Sequence, residues 1–359
     1  MSKKLFLLIL SSAFLIINSN AQEWSPPGTD FAFTANCFTE YKGELYAGSK
    51  YWTDYPCIFK LTDSKWEIVG KGILPAFAEV KCMAVYKDEL YVGGVFETAG
   101  GKRAISIARW DGNEWHDVGG GIDGWDKKVN TMAVYDDELY IGGSFKSAGG
   151  KLANCIAKWN GKTWSAVGTG LTGPPKAFIV YKGELYAGGD LISTTGKSAA
   201  VCTRLNNIGR WNGKEWLPVG PLGKATLDAK YAFAIYKDEL YVTGYHGEIN
   251  GKTGHRLTKW DGTKWSVIKG MEGLIYAIAV YNDELYVGGQ MGLAGTKKIK
   301  DIAKWNGTEW FALKGGVSDD VYTLFPYKDE LWVTGFFREV DEKNIKYMAK
   351  YKEEIKDEE

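Results

Sequence analysis

The chain has 359 residues, 45% of them hydrophobic, and its 44 basic and 44 acidic side chains leave a formal net charge of zero. This balance removes the attraction to phosphate on which nucleic-acid binding depends. After residue 21 no stretch is apolar enough to cross a membrane. We therefore expect no nucleic-acid partner and no membrane span.

The first 21 residues have the pattern of a secretory signal peptide. Lys3 and Lys4 precede an apolar stretch from Leu5 to Ile17, and Ser19-Asn20-Ala21 supplies a small-x-small cleavage pattern. The alternative is an uncleaved membrane anchor, for which the apolar stretch is short. We expect cleavage near Ala21 and a secreted or periplasmic protein.

Seven near-copies of one phrase, aromatic–turn–Glu–Leu–aromatic, occupy the rest of the chain. The spacings between their leading tyrosines are 45, 49, 46, 55, 45 and 46 residues. A period of about 40–50 residues with β-type content is typical of propeller blades. We predict that residues 22–351 form an all-β, seven-bladed β-propeller of four-stranded antiparallel blades, followed by a charged tail at 352–359. The leading tyrosines are Tyr41, Tyr86, Tyr135, Tyr181, Tyr236, Tyr281 and Tyr327.

Residues 80–119 illustrate one blade. The predicted strands are Val80–Tyr86, Glu89–Phe96, Ser106–Trp110 and Trp115–Gly119, and the segment after Phe96 is interpreted as a Gly-rich loop. We expect Asp111-Gly112 to form a tight turn in which both residues have positive φ. Paired glycines, such as Gly93-Gly94, lie inside a strand in four of the repeats. They indicate close approach by another backbone or a large ring.

Tryptophans recur in two columns. We predict that they fill the gaps between blades, and we favour core packing over a carbohydrate platform because each buried ring covers about 150–250 Å². The first column has Trp110, Trp159, Trp211, Trp260 and Trp305, and the second has Trp66, Trp115, Trp164, Trp216, Trp265 and Trp310. In the first and last repeats, Leu61 and Tyr351 take the place of the first-column Trp.

The last repeat lacks a fourth strand, and the chain start supplies a match. Glu23-Trp24-Ser25 has the form of Glu114-Trp115-His116, so Trp24 brings the second column to seven members. We predict that the strand of Trp24 completes the blade formed by residues 317–351. Such closure removes the exposed strand edges between the first and last blades.

The repeat resembles the kelch-type propeller repeat and the central domain of galactose oxidase. It is closer still to exported bacterial repeats of the form GGxFxxAGG…IAxWxGxxW…G, on residues 142–150 and 156–164. The galactose oxidase resemblance implies a copper centre with Tyr and His ligands. However, the three histidines, His116, His246 and His255, show no ligand pattern, so we expect neither a metal nor another cofactor.

The short turns inside the repeats are nearly identical and should share one face. The longer, variable connections should lie on the opposite face, where binding residues concentrate. Trp52 and Trp125 belong to neither column, and each is close to an Asp. The alternative for both rings is packing over the top of a blade. We predict a ligand site on the variable-loop face formed by Trp52, Asp54, Trp125, Asp126, Tyr245, His246 and Arg338.

Five cysteines in an exported chain leave at least one unpaired. Cys37 and Cys82 hold the same position in neighbouring repeats, four residues before the leading Tyr. A Cys37–Cys82 disulfide is one possibility, and buried free thiols are the other.

The seven repeated glutamates that follow the turns do not indicate catalysis, because a catalytic carboxylate needs one distinctive environment. We expect them to accept hydrogen bonds beside the turns. No nucleophile–base pair, phosphate loop or metal-ligand run is apparent. Our hypothesis is a non-enzymatic, monomeric propeller that binds a protein or a glycan. The alternatives are a carbohydrate-active enzyme (a hydrolase, lyase or oxidase) and a purely structural envelope protein.

Overall fold

The computed structural model describes residues 22–28, 33–50, 56–74, 77–190, 193–194, 203–220, 231–246 and 255–353. For Tyr245, His246 and His255 it describes only the backbone. Every regular element in these ranges is a β-strand, so the all-β part of the prediction is confirmed. Within the same ranges there is no helix with the length and apolar character of a bilayer span.

The strands are short and follow one another throughout the described chain. In the first half they are β1 (Gln22–Ser25), β2 (Ala35–Tyr41), β3 (Glu44–Ser49), β4 (Ile58–Thr62), β5 (Lys65–Ile68), β6 (Ile73–Leu74), β7 (Glu79–Tyr86), β8 (Glu89–Val95), β9 (Thr98–Ala99), β10 (Lys102–Arg103), β11 (Ile107–Trp110), β12 (Trp115–Asp117), β13 (Ile122–Asp123), β14 (Lys128–Tyr135), β15 (Glu138–Ser144), β16 (Ser147–Ala148), β17 (Lys151–Leu152) and β18 (Ile156–Trp159). In the second half they are β19 (Trp164–Ala166), β20 (Pro175–Tyr181), β21 (Glu184–Gly189), β22 (Ile208–Trp211), β23 (Trp216–Pro218), β24 (Phe233–Tyr236), β25 (Glu239–His246), β26 (His255–Trp260), β27 (Trp265–Val267), β28 (Met271–Tyr281), β29 (Glu284–Ala294), β30 (Lys297–Lys298), β31 (Ile302–Trp305), β32 (Trp310–Ala312), β33 (Val321–Tyr327), β34 (Glu330–Gly335) and β35 (Met348–Glu353).

Seven of the sheets formed by these strands, which we call units, share one plan of four antiparallel strands. In units 1 to 6 the four strands follow chain order, and in unit 7 the fourth strand is β1. Repeated sheets of this kind fit a propeller-like repeat fold. The units are unit 1 (β2–β5), unit 2 (β7, β8, β11, β12), unit 3 (β14, β15, β18, β19), unit 4 (β20–β23), unit 5 (β24–β27), unit 6 (β28, β29, β31, β32, with β30 paired to β29) and unit 7 (β33–β35 with β1).

The first strands of the units contact one another in an unbroken cycle, from unit 1 through unit 7 and back to unit 1. In six units the hydroxyl of the leading Tyr donates to a carbonyl in the turn of the next unit, at 2.8–3.1 Å. The repeated Tyr therefore links each of these six units to the next one. The bonds run from Tyr41 to Asp88, Tyr86 to Asp137, Tyr135 to Gly183, Tyr181 to Asp238, Tyr281 to Asp329 and Tyr327 to Gly43.

The predicted pairing of the chain start with the last repeat is confirmed. β1 lies antiparallel to β35, and Trp24 is opposite Tyr351 with ring centroids 4.9 Å apart. Its indole Nε1 donates to the carbonyl of Lys314 at 2.9 Å. Trp115 makes the equivalent bond to Val69 at 3.1 Å, so Trp24 occupies a true second-column position.

The predicted end of the last strand at Tyr351 was two residues short, because β35 continues to Glu353. The Glu353 carboxylate accepts bonds from the Lys304 ammonium at 2.8 Å and the Tyr286 hydroxyl at 2.8 Å. The Gln22 amide adds a third bond at 3.2 Å. These partners hold the final residues in the sheet, and residues 354–359 lie outside the description.

Both Trp columns are core positions, as predicted. All seven second-column rings, including Trp24, are buried, and in the first column Leu61 and Trp305 are partly exposed. The repeated glutamates also have the predicted acceptor role. Each pairs with a basic side chain on the third strand of its own unit. The pairs are Glu44–Lys60, Glu89–Arg109, Glu138–Lys158, Glu184–Arg210, Glu239–Lys259, Glu284–Lys304 and Glu330–Lys350.

The expected geometry of the Asp111-Gly112 turn was wrong. Only Gly112 has positive φ, at 106°, whereas Lys87 and Asp88 in the other hairpin both have it. The Asp111 carboxylate instead accepts the backbone N–H groups of Asn113 and Glu114 at 2.7 and 2.8 Å. A four-residue loop held by an Asp side chain therefore replaces the expected two-residue turn.

The expected Gly-rich loop of unit 2 contains a small hairpin. β9 and β10 flank Gly100-Gly101, whose φ angles of 62° and 78° allow a two-residue hairpin turn. β6, from the connection before unit 2, adds a third strand. Unit 3 repeats the arrangement with β13, β16 and β17.

Candidate functional site

The first strands share a β-bulge at one position, five residues before the leading Tyr. In six units the pairing register shifts there, as between Ala35 and Cys37 in unit 1. A bulge turns its extra residue out of the regular alternation. The residues at this position, which we call the bulge positions, are Asn36, Lys81, Asn130, Lys176, Tyr276 and Tyr322, with Tyr231 equivalent in unit 5.

The paired glycines explain how each sheet accommodates its bulge. A Cβ on Gly143 would lie 2.0 Å from the Lys128 carbonyl oxygen, at the bulge of its own unit. The preceding Gly142 leaves room for the next unit, since its Cβ would lie 2.6 Å from Cζ of Phe178. The prediction of close approach by backbone or ring is confirmed for both. Where a unit has Gly-Gly, the second glycine therefore makes room for the bulge and the first makes room for the next unit.

The seven bulge positions line a single cavity of about 530 Å³. At about 3.3 Å per residue, they lie roughly 16 Å along the strand from the Tyr turns. Lys50 and Phe336, which follow the second strands of units 1 and 7, also line it. The cavity therefore opens at the end of the units where the long, variable connections lie.

Units 1 to 4 supply a polar half to this cavity. The Asn36 amide donates to the Val80 carbonyl at 3.1 Å, and the Asn130 amide donates to that of Pro175 at 3.1 Å. The Lys81 ammonium lies 3.3 Å from the Glu79 carboxylate. The Lys176 ammonium lies 3.1 Å from the carboxylate of Asp190. Amide and ammonium groups are thus held in fixed positions along one wall.

Units 5 to 7 supply an aromatic half. The Tyr276 and Tyr322 rings lie 5.6 Å apart and are tilted by 32°, and Phe336 meets Tyr322 edge-on at 5.5 Å. Phe336 is 43% exposed. Burial and the neighbouring Asp320 carboxylate raise the pKa of Tyr322 to about 12. Its hydroxyl is therefore neutral at ordinary pH and donates to Asp320 at 3.2 Å.

Charge on the polar wall is balanced within two ion pairs. Among the described residues, the charged side chains that line the cavity are Lys50, Lys81, Lys176 and Glu79. Glu79 pairs with Lys81 at 3.3 Å, and Asp190, beside the cavity, pairs with Lys176 at 3.1 Å. Asp320 accepts the Tyr322 hydroxyl at the aromatic half.

The ligand residues predicted from the sequence either lie away from the cavity or are not fully described by the structure. Trp125 is 94% exposed, and Asp126 pairs with Lys128 at 3.0 Å. Arg338 is exposed, with its backbone N–H donating to Ser318 Oγ at 3.0 Å. None of these three side chains lines the cavity, and their role stays a prediction. Trp52 and Asp54 lie outside the described residues, and Tyr245 and His246 end β25 with only their backbone described.

The bulge positions were missed by the sequence analysis, although a signal was present. When the seven repeats are aligned on the leading Tyr, the positions at minus two and minus four are mostly small. The bulge position, five residues before the leading Tyr, holds Asn, Lys, Asn, Lys, Tyr, Tyr and Tyr in the seven repeats. Large polar side chains that vary inside a constant frame are typical of a lining surface rather than a core.

The possible disulfide between Cys37 and Cys82 is not formed, and both residues are free thiols. The Cys82 sulfur points toward the next unit, where it lies 3.9 Å from the Val129 carbonyl oxygen. Burial raises the pKa of both thiols. Both thiols are therefore free in the structure, with Cys82 buried and Cys37 partly exposed.

A surface group of potential metal ligands was also not expected. Side-chain atoms of Asp111, Glu114 and His116 lie within 4.8 Å of one another on the outer hairpin of unit 2. His116 already contacts Asp111 at 2.7 Å, and Glu114 pairs with Lys102 at 2.6 Å. Turn amides occupy the other Asp111 oxygen. These contacts account for the group as a hairpin-stabilising network.

No family model matches the chain, and no curated protein matches its sequence. Solved structures are similar in fold. The chain aligns with the extracellular domain of a putative hybrid two-component system, BT4673 from B. thetaiotaomicron, at a TM-score of 0.55 and 13% identity, over 92% of this chain but only 40% of that one. The computationally designed protein Ika8 aligns at a TM-score of 0.53 and 12% identity, over 89% and 83%. YjhT aligns at 0.45 and 16% identity, over 79% and 97%.

Proposed function

We propose that this chain is an exported, non-enzymatic, seven-bladed β-propeller that binds a ligand in the cavity formed by its bulge positions. The cycle of contacts between first strands supports seven blades around one axis. The hydrogen bond from Tyr327 to Gly43 supports closure between units 7 and 1. Membership of the exported, kelch-like bacterial repeats is part of this proposal and rests on the sequence motifs.

The observation that carries the binding role is the convergence on one cavity of seven equivalent positions that hold three kinds of side chain, Asn, Lys and Tyr. Structural positions in this chain repeat one residue in all seven units, as the leading Tyr and the Glu do. The bulge positions do not share one residue, so their identities serve something other than the frame. A cavity of about 530 Å³ lies within the range of small-molecule sites, roughly 300–1,000 Å³.

Three considerations support binding without catalysis and outside the cytoplasm. Lys81 and Lys176 on the polar wall are in ion pairs, and no nucleophile–base pair occurs among the described cavity residues. Residues 1–21 have the features of a cleaved export signal. A neighbour in fold is the extracellular domain of a putative hybrid two-component system, which is consistent with a binding role.

The test is a thermal-shift screen of residues 22–359 against glycans, peptides and small metabolites. A ligand that binds only the folded state at 100 times its Kd adds about 2.7 kcal/mol of stability. We expect at least one compound to raise the Tm of the wild type but not that of the Tyr276→Ala/Phe336→Ala variant. Compounds that stabilise both proteins equally, but not a Trp52→Ala/Trp125→Ala variant, would place the site on the outer loops instead.

A further inference from the structure

We infer that the ligand of this cavity is a short neutral saccharide, with the apolar face of a sugar ring against Tyr276, Tyr322 and Phe336 and its hydroxyls against the polar half. This inference rests on the proposed function and narrows it to one class of ligand. It follows from the size of the cavity, the geometry of its aromatic half and the charge balance of its wall.

The size of the cavity favours a small ligand. At about 530 Å³ it lies within the range of small-molecule sites, roughly 300–1,000 Å³. Helix-in-groove recognition, by contrast, uses anchors spread over several helical turns. A compact ligand that enters from the variable-loop end fits this volume better.

The aromatic half is a cluster of packed rings. The Tyr276 and Tyr322 rings have centroids 5.6 Å apart and are tilted by 32°. Phe336 meets Tyr322 edge-on and is 43% exposed. The C–H groups on one face of a pyranose ring pack well against an aromatic ring exposed in this way. Burial and the Asp320 carboxylate raise the pKa of Tyr322 to about 12, so its polar tip is a neutral hydroxyl.

The polar half suits a ligand that both donates and accepts hydrogen bonds. Each amide of Asn36 and Asn130 offers a carbonyl oxygen and two N–H donors. Sugar hydroxyls have the same dual character. The two facing walls therefore match the two kinds of surface that a saccharide presents, at its ring face and at its hydroxyl edge.

Charge balance favours a neutral ligand over an ionic one. Glu79 and Asp190 already hold Lys81 and Lys176 at 3.3 and 3.1 Å. An anionic sugar would have to compete with these carboxylates and would also approach Asp320. A cationic ligand would meet the lysines. Binding of a neutral saccharide should therefore depend little on salt, because no counter-charge is exchanged.

The experiment is isothermal titration of residues 22–359 with three probe sets at low and high ionic strength. The sets are neutral di- and trisaccharides of glucose, galactose, mannose and N-acetylglucosamine, their uronic-acid counterparts, and unstructured tripeptides. We expect a neutral saccharide to bind with a Kd that changes less than about twofold with salt. Tyr276→Ala and Asn130→Ala should each weaken that binding by roughly 3–10-fold, the loss of about one good contact.

Leu152→Ala is the matched control, because Leu152 is 70% exposed and does not line the cavity. All variants must retain the wild-type Tm to within about 2 °C, or roughly 1 kcal/mol. Binding of peptides or uronic acids instead, weakened by the same variants, would overturn the saccharide inference and leave the cavity as the site. Saccharide binding that Tyr276→Ala and Asn130→Ala leave unchanged would overturn the cavity itself. Failure of every neutral saccharide to bind would overturn the inference.

Discussion

Substitution of Trp24 by Ala tests whether closure of unit 7 stabilises the whole protein. Trp24 is 1% exposed, packs on Tyr351 and donates to the Lys314 carbonyl. Burial of about 150–250 Å² at about 25 cal/mol per Å² corresponds to roughly 4–6 kcal/mol. Measured Trp-to-Ala losses in cores are about 3–5 kcal/mol, which we take as the expected loss.

The scale of this loss is large against a total stability of about 5–15 kcal/mol. At roughly 2 °C per kcal/mol for a chain of this size, the Tm should fall by about 6–10 °C. Calorimetry or urea unfolding followed by Trp fluorescence measures it. Deletion of residues 22–28 should have an effect at least as large, since it also removes the four-residue pairing with β35.

The matched control is Trp125→Ala, the same substitution at a ring that is 94% exposed. Surface substitutions of this kind usually change stability by less than about 0.5 kcal/mol. Equal Tm values for the Trp24→Ala and Trp125→Ala proteins would refute the argument that β1 closes the assembly. A selective loss at Trp24 would support it.

Three further substitutions test other parts of the frame. Gly143→Ala places a Cβ 2.0 Å from the Lys128 carbonyl oxygen and should lower the free energy of unfolding in urea by about 1–3 kcal/mol. Its control is Gly292→Ala, where no heavy atom lies within 4 Å of the new Cβ and the loss should be less than about 1 kcal/mol. Equal losses of stability in the two variants would count against the link between the glycine and the bulge. Tyr327→Phe removes the 2.8 Å bond to Gly43 and should cost about 1 kcal/mol, and Tyr236→Phe should cost less, because among the described residues the Tyr236 hydroxyl has no partner. Burial raises the pKa of Glu353, but bonds from Lys304, Tyr286 and Gln22 outweigh it and lower the pKa overall. The stability from Glu353 is therefore present above the ordinary Glu pKa of 4.5 and lost as the pH falls through the lowered value, so Glu353→Gln should destabilise at neutral pH and little in acid. The exposed Glu342→Gln is its control, and a pH-independent difference between the Glu353→Gln protein and the wild type would contradict the assignment.

The features that sequence reasoning predicted correctly are those that repeat. The Tyr phrase and the two Trp columns recur at a fixed period, so each occurrence supports the others, and Trp24 was placed in unit 7 by matching its neighbours to those of Trp115. The pairing with Tyr351 confirms that placement. A single short strand is difficult to assign from its sequence alone, whereas seven copies of the same pattern support one another.

The features that were missed depend on local geometry. The Asp111 turn was wrong because an Asp side chain that bonds two backbone N–H groups competes with a two-residue hairpin. The bulge positions were missed because regular alternation assigns Lys81 or Asn130 to a blade face, and one extra residue redirects the side chain to the cavity. Gly94 and Gly143 carried that information, since a strand glycine is a known mark of a bulge.

The pairing of β1 with β35 also determines how the molecule would respond to a pulling force. Gln22 lies opposite Glu353 in an antiparallel register, so tension applied at these two residues acts on the same end of the strand pair. The hydrogen bonds between the two strands would then break one pair after another from that end. They would not all bear the load at once, as they do when strands are pulled past each other in shear. We expect the assembly to open at unit 7 under low force, before any of the sheets made from consecutive strands is loaded.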